Sequence, residues 1–171
     1  MFSKKIDNFE DLFCHQLSDL MNAEMQLTKA LPKMAEAASD RTLKAGFEKH
    51  LKETEGQIEK IKKVFSMIEM EPEKVTCEAM KGLIKEGDEA MDEFEAGPLL
   101  DVSLIIAAQK VEHYEIAGYG SVCALAKKLG WAEEAEILHS ILEEERATDE
   151  KLTDAASSIN DRAADMMDAA E

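Results

Sequence analysis

The sequence predicts an all-α protein, with four long helices in two hairpins joined by a shorter crossover helix. Three observations lead there. Charged residues make up 33% and apolar residues 45% of the 171 positions, with only 3 prolines and 5% aromatics, a mix that favours helix over strand. Apolar residues recur at helical spacing through four stretches of about thirty residues each. Between the second and third of these lies a long connection that keeps a partial helical period of its own. The length suits one domain with a core of its own. Residues 1–156 read as the bundle, and 157–171 as a tail that either frays or packs on a partner.

The first helix spans about residues 8 to 38, opened by a capping-box pattern of Asp7 and Glu10. Phe13, Leu17, Leu20, Leu27, Leu31 and Met34 form its stripe, and Pro32 removes one backbone bond and predicts a bend. Ser39 and Asp40 can cap the second helix, which runs to about Met70 on Phe47, Leu51, Thr54, Ile58, Ile61 and Phe65. From Glu71 to Gly97 the chain is acidic, and Met80, Leu83, Ile84 and Met91 predict the crossover helix. Such a long connection lets both hairpins start in the same direction. Pro98 suits the first turn of the third helix and Gly130 its C-terminal cap, giving about residues 99 to 129. The fourth helix starts at Trp131 or Ala132, with Leu138, Ile141, Leu142, Glu145 and Leu152 inward.

Carboxylates interrupt these apolar stripes. At 100° per residue, Glu112 and Glu115 share the face of Ile105, Ala108, Tyr119 and Cys123 in a helix that otherwise reads as buried. Glu24 stands between Leu20 and Leu27, while Lys29 and Lys33 fall on other sides of that helix. His50, Glu53 and Gln57 line one edge of the second helix. The run from Glu143 to Glu145 must point in three directions, with Glu145 nearest the stripe and Glu144 and Asp149 flanking it. A buried carboxylate needs a cation, a proton or a metal beside it.

Four helices that each place carboxylates inward are the arrangement of a ferritin-like bundle. Di-metal bundles of that kind draw Glu-x-x-His from two helices. Here Glu53 is followed three residues on by Gly56, Glu144 by Ala147 and Glu145 by Thr148. Gln57 and Asp149 would have to supply ligands that those histidines supply elsewhere. Hard oxygen donors with one imidazole suit iron or manganese, and such sites hold two ions about 3.5–4 Å apart with a position open to dioxygen, peroxide or water. Tyr119 then serves either as a redox neighbour or as a phenol satisfied by a core carboxylate. The nine candidate ligands are Glu24, His50, Glu53, Gln57, Glu112, Glu115, Glu144, Glu145 and Asp149, for two ions, iron first, manganese or zinc next.

The segments Glu10 to Phe13, Leu17 to Leu27, His50 to Ile58, Gln109 to Ala117 and Leu142 to Asp149 resemble the YciE/YciF family of bacterial stress-induced ferritin-like proteins. The resemblance covers nearly all of residues 7 to 155. It implies a ferritin-like four-helix core with an extra crossover helix between the second and third long helices, a di-metal centre and a homodimer. The Glu-x-x-Glu of the third helix is similar to that of rubrerythrins, where such carboxylates ligate iron. The expected function is iron oxidation or peroxide consumption under stress; the alternative is a non-catalytic helical scaffold with a degenerate metal site.

Thirty-seven acidic against 20 basic residues, a net charge of −17, argue against nucleic acid or anionic membrane as a partner. No apolar run approaches a membrane span, no signal segment is evident, and a cytoplasmic protein is expected. Cys14, Cys77 and Cys123 are widely spaced and odd in number, so they read as buried thiols.

Overall fold

The computed structural model describes residues 5–168. It contains five helices: α1 (Phe9–Ala37), α2 (Arg41–Met67), α3 (Glu78–Glu93), α4 (Pro98–Leu129) and α5 (Ala132–Asp168). Among the described residues there is no strand. α1 packs on α2 and α4 on α5 as two hairpins, which meet through α1 with α4 and α2 with α5. The crossover helix α3 lies against α4 and α1, outside the four-helix core. This is the all-α, ferritin-like architecture expected from the sequence.

Local chemistry sets the ends. Asn8, not Asp7, caps α1, its side-chain oxygen accepting from the Asp11 amide at 2.7 Å. α1 continues as helix through Pro32. Asp40 caps α2 by accepting from the Thr42 and Leu43 amides at 2.8 and 2.9 Å. Gly130 closes α4 at φ +79°, a left-handed conformation that glycine adopts without strain. α5 runs on past Ser157 to Asp168, burying Ile159 and Ala163.

The α1–α2 corner is tied down twice. Asp101, in the first turn of α4, accepts from the Ser39 amide at 2.7 Å and the Asp40 amide at 2.9 Å, and is 2% exposed. Arg162 of α5 donates to Asp40 at 2.6 Å. Replacing Asp101 by alanine leaves two amides without their acceptor in a place water reaches poorly. The expected loss is about 2–3 kcal/mol in urea unfolding, and a loss below about 0.5 kcal/mol would show the corner to be held by other means.

The segment between α2 and α3 is held by a ladder on α1. Ser18, Asn22 and Gln26 stand one turn apart, and they bond respectively to the Glu73 amide, the Cys77 amide and the Cys77 carbonyl at 2.9, 2.8 and 3.0 Å. Tyr114 donates to Asp19 at 2.6 Å, with the Cys77 sulfur 2.9 Å from the same hydroxyl.

Two glycines of α4 have opposite surroundings. A Cβ on Gly118 would stand 2.6 Å from Leu20 Cδ2, in a side chain that is itself buried, whereas a Cβ on Gly120 meets nothing within 4 Å. Gly118→Ala should destabilise by about 1–3 kcal/mol, because the overpacking outweighs the helix gain. Gly120→Ala should stabilise by about 1 kcal/mol. Equal effects in paired urea melts would refute the close α1–α4 contact.

The apolar core divides in two. One half gathers Leu27, Leu31, Phe47, Met80, Leu104 and Leu152; the other gathers Phe13, Leu17, Ile61, Tyr119, Leu138 and Ile141. Between these halves every long helix contributes buried polar side chains.

Candidate metal centre

α1 supplies Glu24 to this polar layer. α2 supplies His50, Thr54 and Gln57, α4 supplies Glu112 and Glu115, and α5 supplies Glu145. None is more than 3% exposed. Inward placement follows from spacing: Glu112, Glu115 and Tyr119 recur at i, i+3 and i+7 on the buried face of α4. On α2 the inward line is Phe47, His50, Thr54, Gln57, Ile61 and Val64, while Leu51 and Ile58 stand at its margins. Apolar periodicity alone centres the stripe one residue off, because it gives weight to Leu51 and Ile58 and none to His50 and Gln57.

His50, Glu112, Glu115 and Glu145 each offer one ligand atom within a mutual span of 4.8 Å. His50 Nε2 lies 3.2 Å from Glu112 Oε1, close enough for charge pairing but off the hydrogen-bond axis. Glu24 accepts a hydrogen bond from the Tyr119 hydroxyl. Ten side-chain nitrogen or oxygen atoms among the described residues are buried without a hydrogen-bond partner, and all ten belong to this layer. Both oxygens of Glu115 and both of Glu145 are among them, with one from each of Glu24 and Glu112, both His50 nitrogens, Thr54 Oγ1 and Gln57 Oε1.

The electrostatics follow from that crowding. Burial pushes the Glu24 carboxyl up to about 7, against the opposing pull of the Tyr119 hydroxyl and His50. Burial, then the charges of Glu24 and Glu145, hold Glu115 well above the usual carboxylate range. Glu145 is raised by burial and by Glu24 and Glu112. For His50 burial works against the charged form, but the carboxylates of Glu112 and Glu53 outweigh it and the imidazole titrates well above 6.5. Four buried carboxylates thus face one cation of the protein's own. The donor set fits divalent ions with a preference for oxygen and imidazole, and the unpartnered atoms are where such ions would bind.

The remaining candidates stand outside this cluster. Glu53 is partly exposed, pairs with Lys49 and lies 3.9 Å from His50 Nδ1, beyond hydrogen-bond reach, so it acts on the imidazole through its charge. Its carboxyl is held at about 2, chiefly by His50 and Lys49. Glu144 sits at the rim, accepting from Lys60 at 2.5 Å and from Gln57 at 3.2 Å. Asp149 is turned toward α4, 3.2 Å from His113 and 3.4 Å from Gln109. The structure therefore gathers Glu24, His50, Glu112, Glu115 and Glu145, places Gln57 at their edge, and sets Glu53, Glu144 and Asp149 apart.

Thr54 was legible only as a core position, and its unpaired hydroxyl carries no sequence signal. Tyr119 takes the satisfied-phenol role through Glu24. Cys123 faces away from the cluster toward the Ala135 carbonyl at 3.8 Å, and all three cysteines are free and buried.

Comparison with known proteins adds the following. Residues 8–165 match the family described as "Domain of unknown function (DUF892)". Protein YciF of Escherichia coli strain K12 is 49% identical over 156 residues, covering 90% of this chain and 94% of that protein. The crystal structure of the Escherichia coli stress protein YciF superposes with a TM-score of 0.89 at 46% identity, covering 92% of this chain and 99% of the other. YcfI from Rhodopseudomonas palustris, whose description suggests a structural role, gives 0.86 at 45%, covering 90% and 98%. A Xanthomonas campestris protein shares the fold at a TM-score of 0.75 and 18% identity, covering 94% and 99%.

Proposed function

Since the chain belongs to the DUF892 family, the group of YciF-like bacterial proteins, we propose that its buried polar layer is a carboxylate-rich di-metal centre that oxidises iron or consumes peroxide under stress. The observation that carries this reading is the gathering in one layer of all ten unpartnered buried side-chain polar atoms found among the described residues. Without cations several of these carboxyls must hold protons at neutral pH, which is a costly way to fill a core.

Bound iron or manganese would supply two-electron exchange with peroxide or dioxygen. Glu112, Glu115, Glu145, His50 and Glu24 are the ligands this reading assigns, and zinc is a further candidate ion. Tyr119 keeps Glu24 in place by donating to one oxygen, leaving the other free. Glu53 places a negative charge beside His50, and Gln57 links the cluster to Glu144 and Lys60 at the surface. The apolar halves above and below exclude water from the layer. The same reading places the protein in the cytoplasm as a homodimer; among the described residues no helix is long and apolar enough to cross a membrane.

Elemental mass spectrometry on untagged protein tests the proposal, with near two equivalents of iron or manganese expected. No metal after anaerobic reconstitution would favour the second reading, a scaffold that keeps the bundle to recruit partners. That reading draws on the single histidine in the cluster and on the engagement of Glu53 and Glu144 by lysines.

A further inference from the structure

Two approaches lead from the seam between α2 and α5 to the polar layer, and they differ in chemistry. One is a cavity of about 440 Å³ whose walls include Leu27, Leu31, Phe47, Val111 and Leu152. The acids near its mouth, Glu53 and Asp154, are matched there by Lys49 and Lys151. A hydrated divalent ion passing along such walls would give up water for hydrocarbon, which offers it no oxygen in return.

The other approach is a line of polar side chains. Glu144 of α5 accepts from Lys60 at 2.5 Å on one oxygen and from Gln57 Nε2 at 3.2 Å on the other. The Lys60 and Glu144 side chains are 32% and 36% exposed, whereas Gln57 is fully buried. The carboxylate fixes the orientation of the amide, because turning it over would set Gln57 Oε1 against an oxygen of Glu144. Oε1 is left on the other branch of the amide, buried and without a hydrogen-bond partner, like the carboxylate oxygens of Glu115 and Glu145. The Glu24 carboxyl, raised chiefly by burial, is raised further by the charge of Glu144, so the rim carboxylate and the layer act on each other.

We propose that Glu144 and Gln57 form an entry site through which divalent cations reach the layer. Glu144 binds the ion first, in place of the Lys60 ammonium, and Gln57 Oε1 hands it inward. A partly exposed carboxylate, a buried amide oxygen and the unpartnered carboxylates of the layer are all hard oxygen donors, so the ion exchanges water for protein oxygen in steps. Exposed ion pairs are weak, and an arriving divalent ion displaces the lysine. The inference rests on the di-metal reading and adds an ion site outside the ligands assigned there.

Co(II) uptake by the metal-free full chain tests it, with chelator added at set times to strip ions not yet buried and the rest counted by elemental mass spectrometry. Glu144→Gln should slow uptake about tenfold, the loss of one attracting charge at the entrance, and leave the final content at that of the parent. Gln57→Leu should do the same, and the double variant should be no slower than the slower single one, since both residues serve one path. Lys60→Met should speed uptake about threefold. Asp154→Asn, at the mouth of the apolar cavity, should leave the rate unchanged. Should Gln57→Leu perturb the fold, Glu144→Gln at the rim decides. Uptake indifferent to Glu144→Gln, or slowed as much by Asp154→Asn, would overturn the inference while a full final content upholds the di-metal reading. A final content lowered by either substitution would overturn it too, because that residue would then be a ligand of the centre itself. A parent chain that takes up no Co(II) would overturn both readings.

Discussion

Replacing Glu112 and Glu115 together by alanine is expected to abolish metal uptake while leaving the melting temperature in metal-free buffer equal to, or above, that of the parent protein. Two effects oppose each other in the metal-free variant. Truncation opens space at two core positions, which costs stability. It also removes two carboxyls whose oxygens include three without hydrogen-bond partners, and relieves their repulsion with Glu24 and Glu145. Removing a crowded buried carboxyl without a partner, as Glu115 is, is worth several kcal/mol and offsets the lost packing, and His50, which loses its Glu112 partner, can release its proton.

The parent protein should behave differently when loaded. An ion present at a thousand times its dissociation constant stabilises by about 4 kcal/mol, which for a chain of this length raises the melting temperature by roughly 8–16 °C. Calorimetry with and without a chelator reads both numbers. A variant that still binds stoichiometric metal would dismiss the assigned ligands. A variant that loses about 4 kcal/mol in chelator would show that these carboxyls stabilise the bundle without any ion.

The metal-free protein is also expected to lose stability as pH rises from about 5 to about 8, against the usual acid sensitivity of proteins. Glu24 titrates at about 7 in the folded state, above the ordinary carboxylate value of 4.5, so over that interval the folded chain holds a proton the unfolded chain has released. Its contribution is complete below the unfolded value and is lost as pH climbs through 7. Glu115 and Glu145 are shifted in the same direction, and raised titration of His50 acts with the same sign at higher pH. Glu53 has the opposite sign: held at about 2, it contributes above 4.5 and loses that contribution only as pH falls toward 2.

The expected outcome in urea melts under chelator is a fall on the order of a few kcal/mol between pH 5 and pH 8. Metal loading should abolish the trend or reverse it, because ions replace protons on the same oxygens. A metal-free protein that becomes more stable across this interval would contradict the crowded-carboxylate picture.

Most of the helical framework was legible because its signals are strong and local. Gly130, Asp40 and Pro98 mark helix ends through backbone chemistry that neighbours do not override. The α1 cap fell one residue from its expected place, since Asn8 and Asp7 are both good acceptors and only the final geometry chooses between them. Glu24, Glu112, Glu115 and Glu145 were legible as inward carboxylates because each interrupts an apolar period.

Periodicity could not separate the cluster from its rim. Glu53, Glu144 and Asp149 lie within about one helical position of the inward line, and lysines or His113 on neighbouring helices decide where they point. Those neighbours are distant in sequence. The Asp101 tie across the α1–α2 corner and the polar ladder on α1 were invisible for the same reason, since each needs an amide some fifty or sixty residues away.

The division of the core by the polar layer has a bearing on cooperativity. Each apolar half is assembled from all four long helices, so neither half is a hairpin that could dock or leave alone. With the layer unfilled, the two halves communicate through helix backbones and few side-chain contacts, and partial opening at one end need not propagate to the other. Filling the layer joins them, so that amide hydrogens at Leu17 and at Leu152, near opposite ends of the bundle, would come to exchange through one shared opening event.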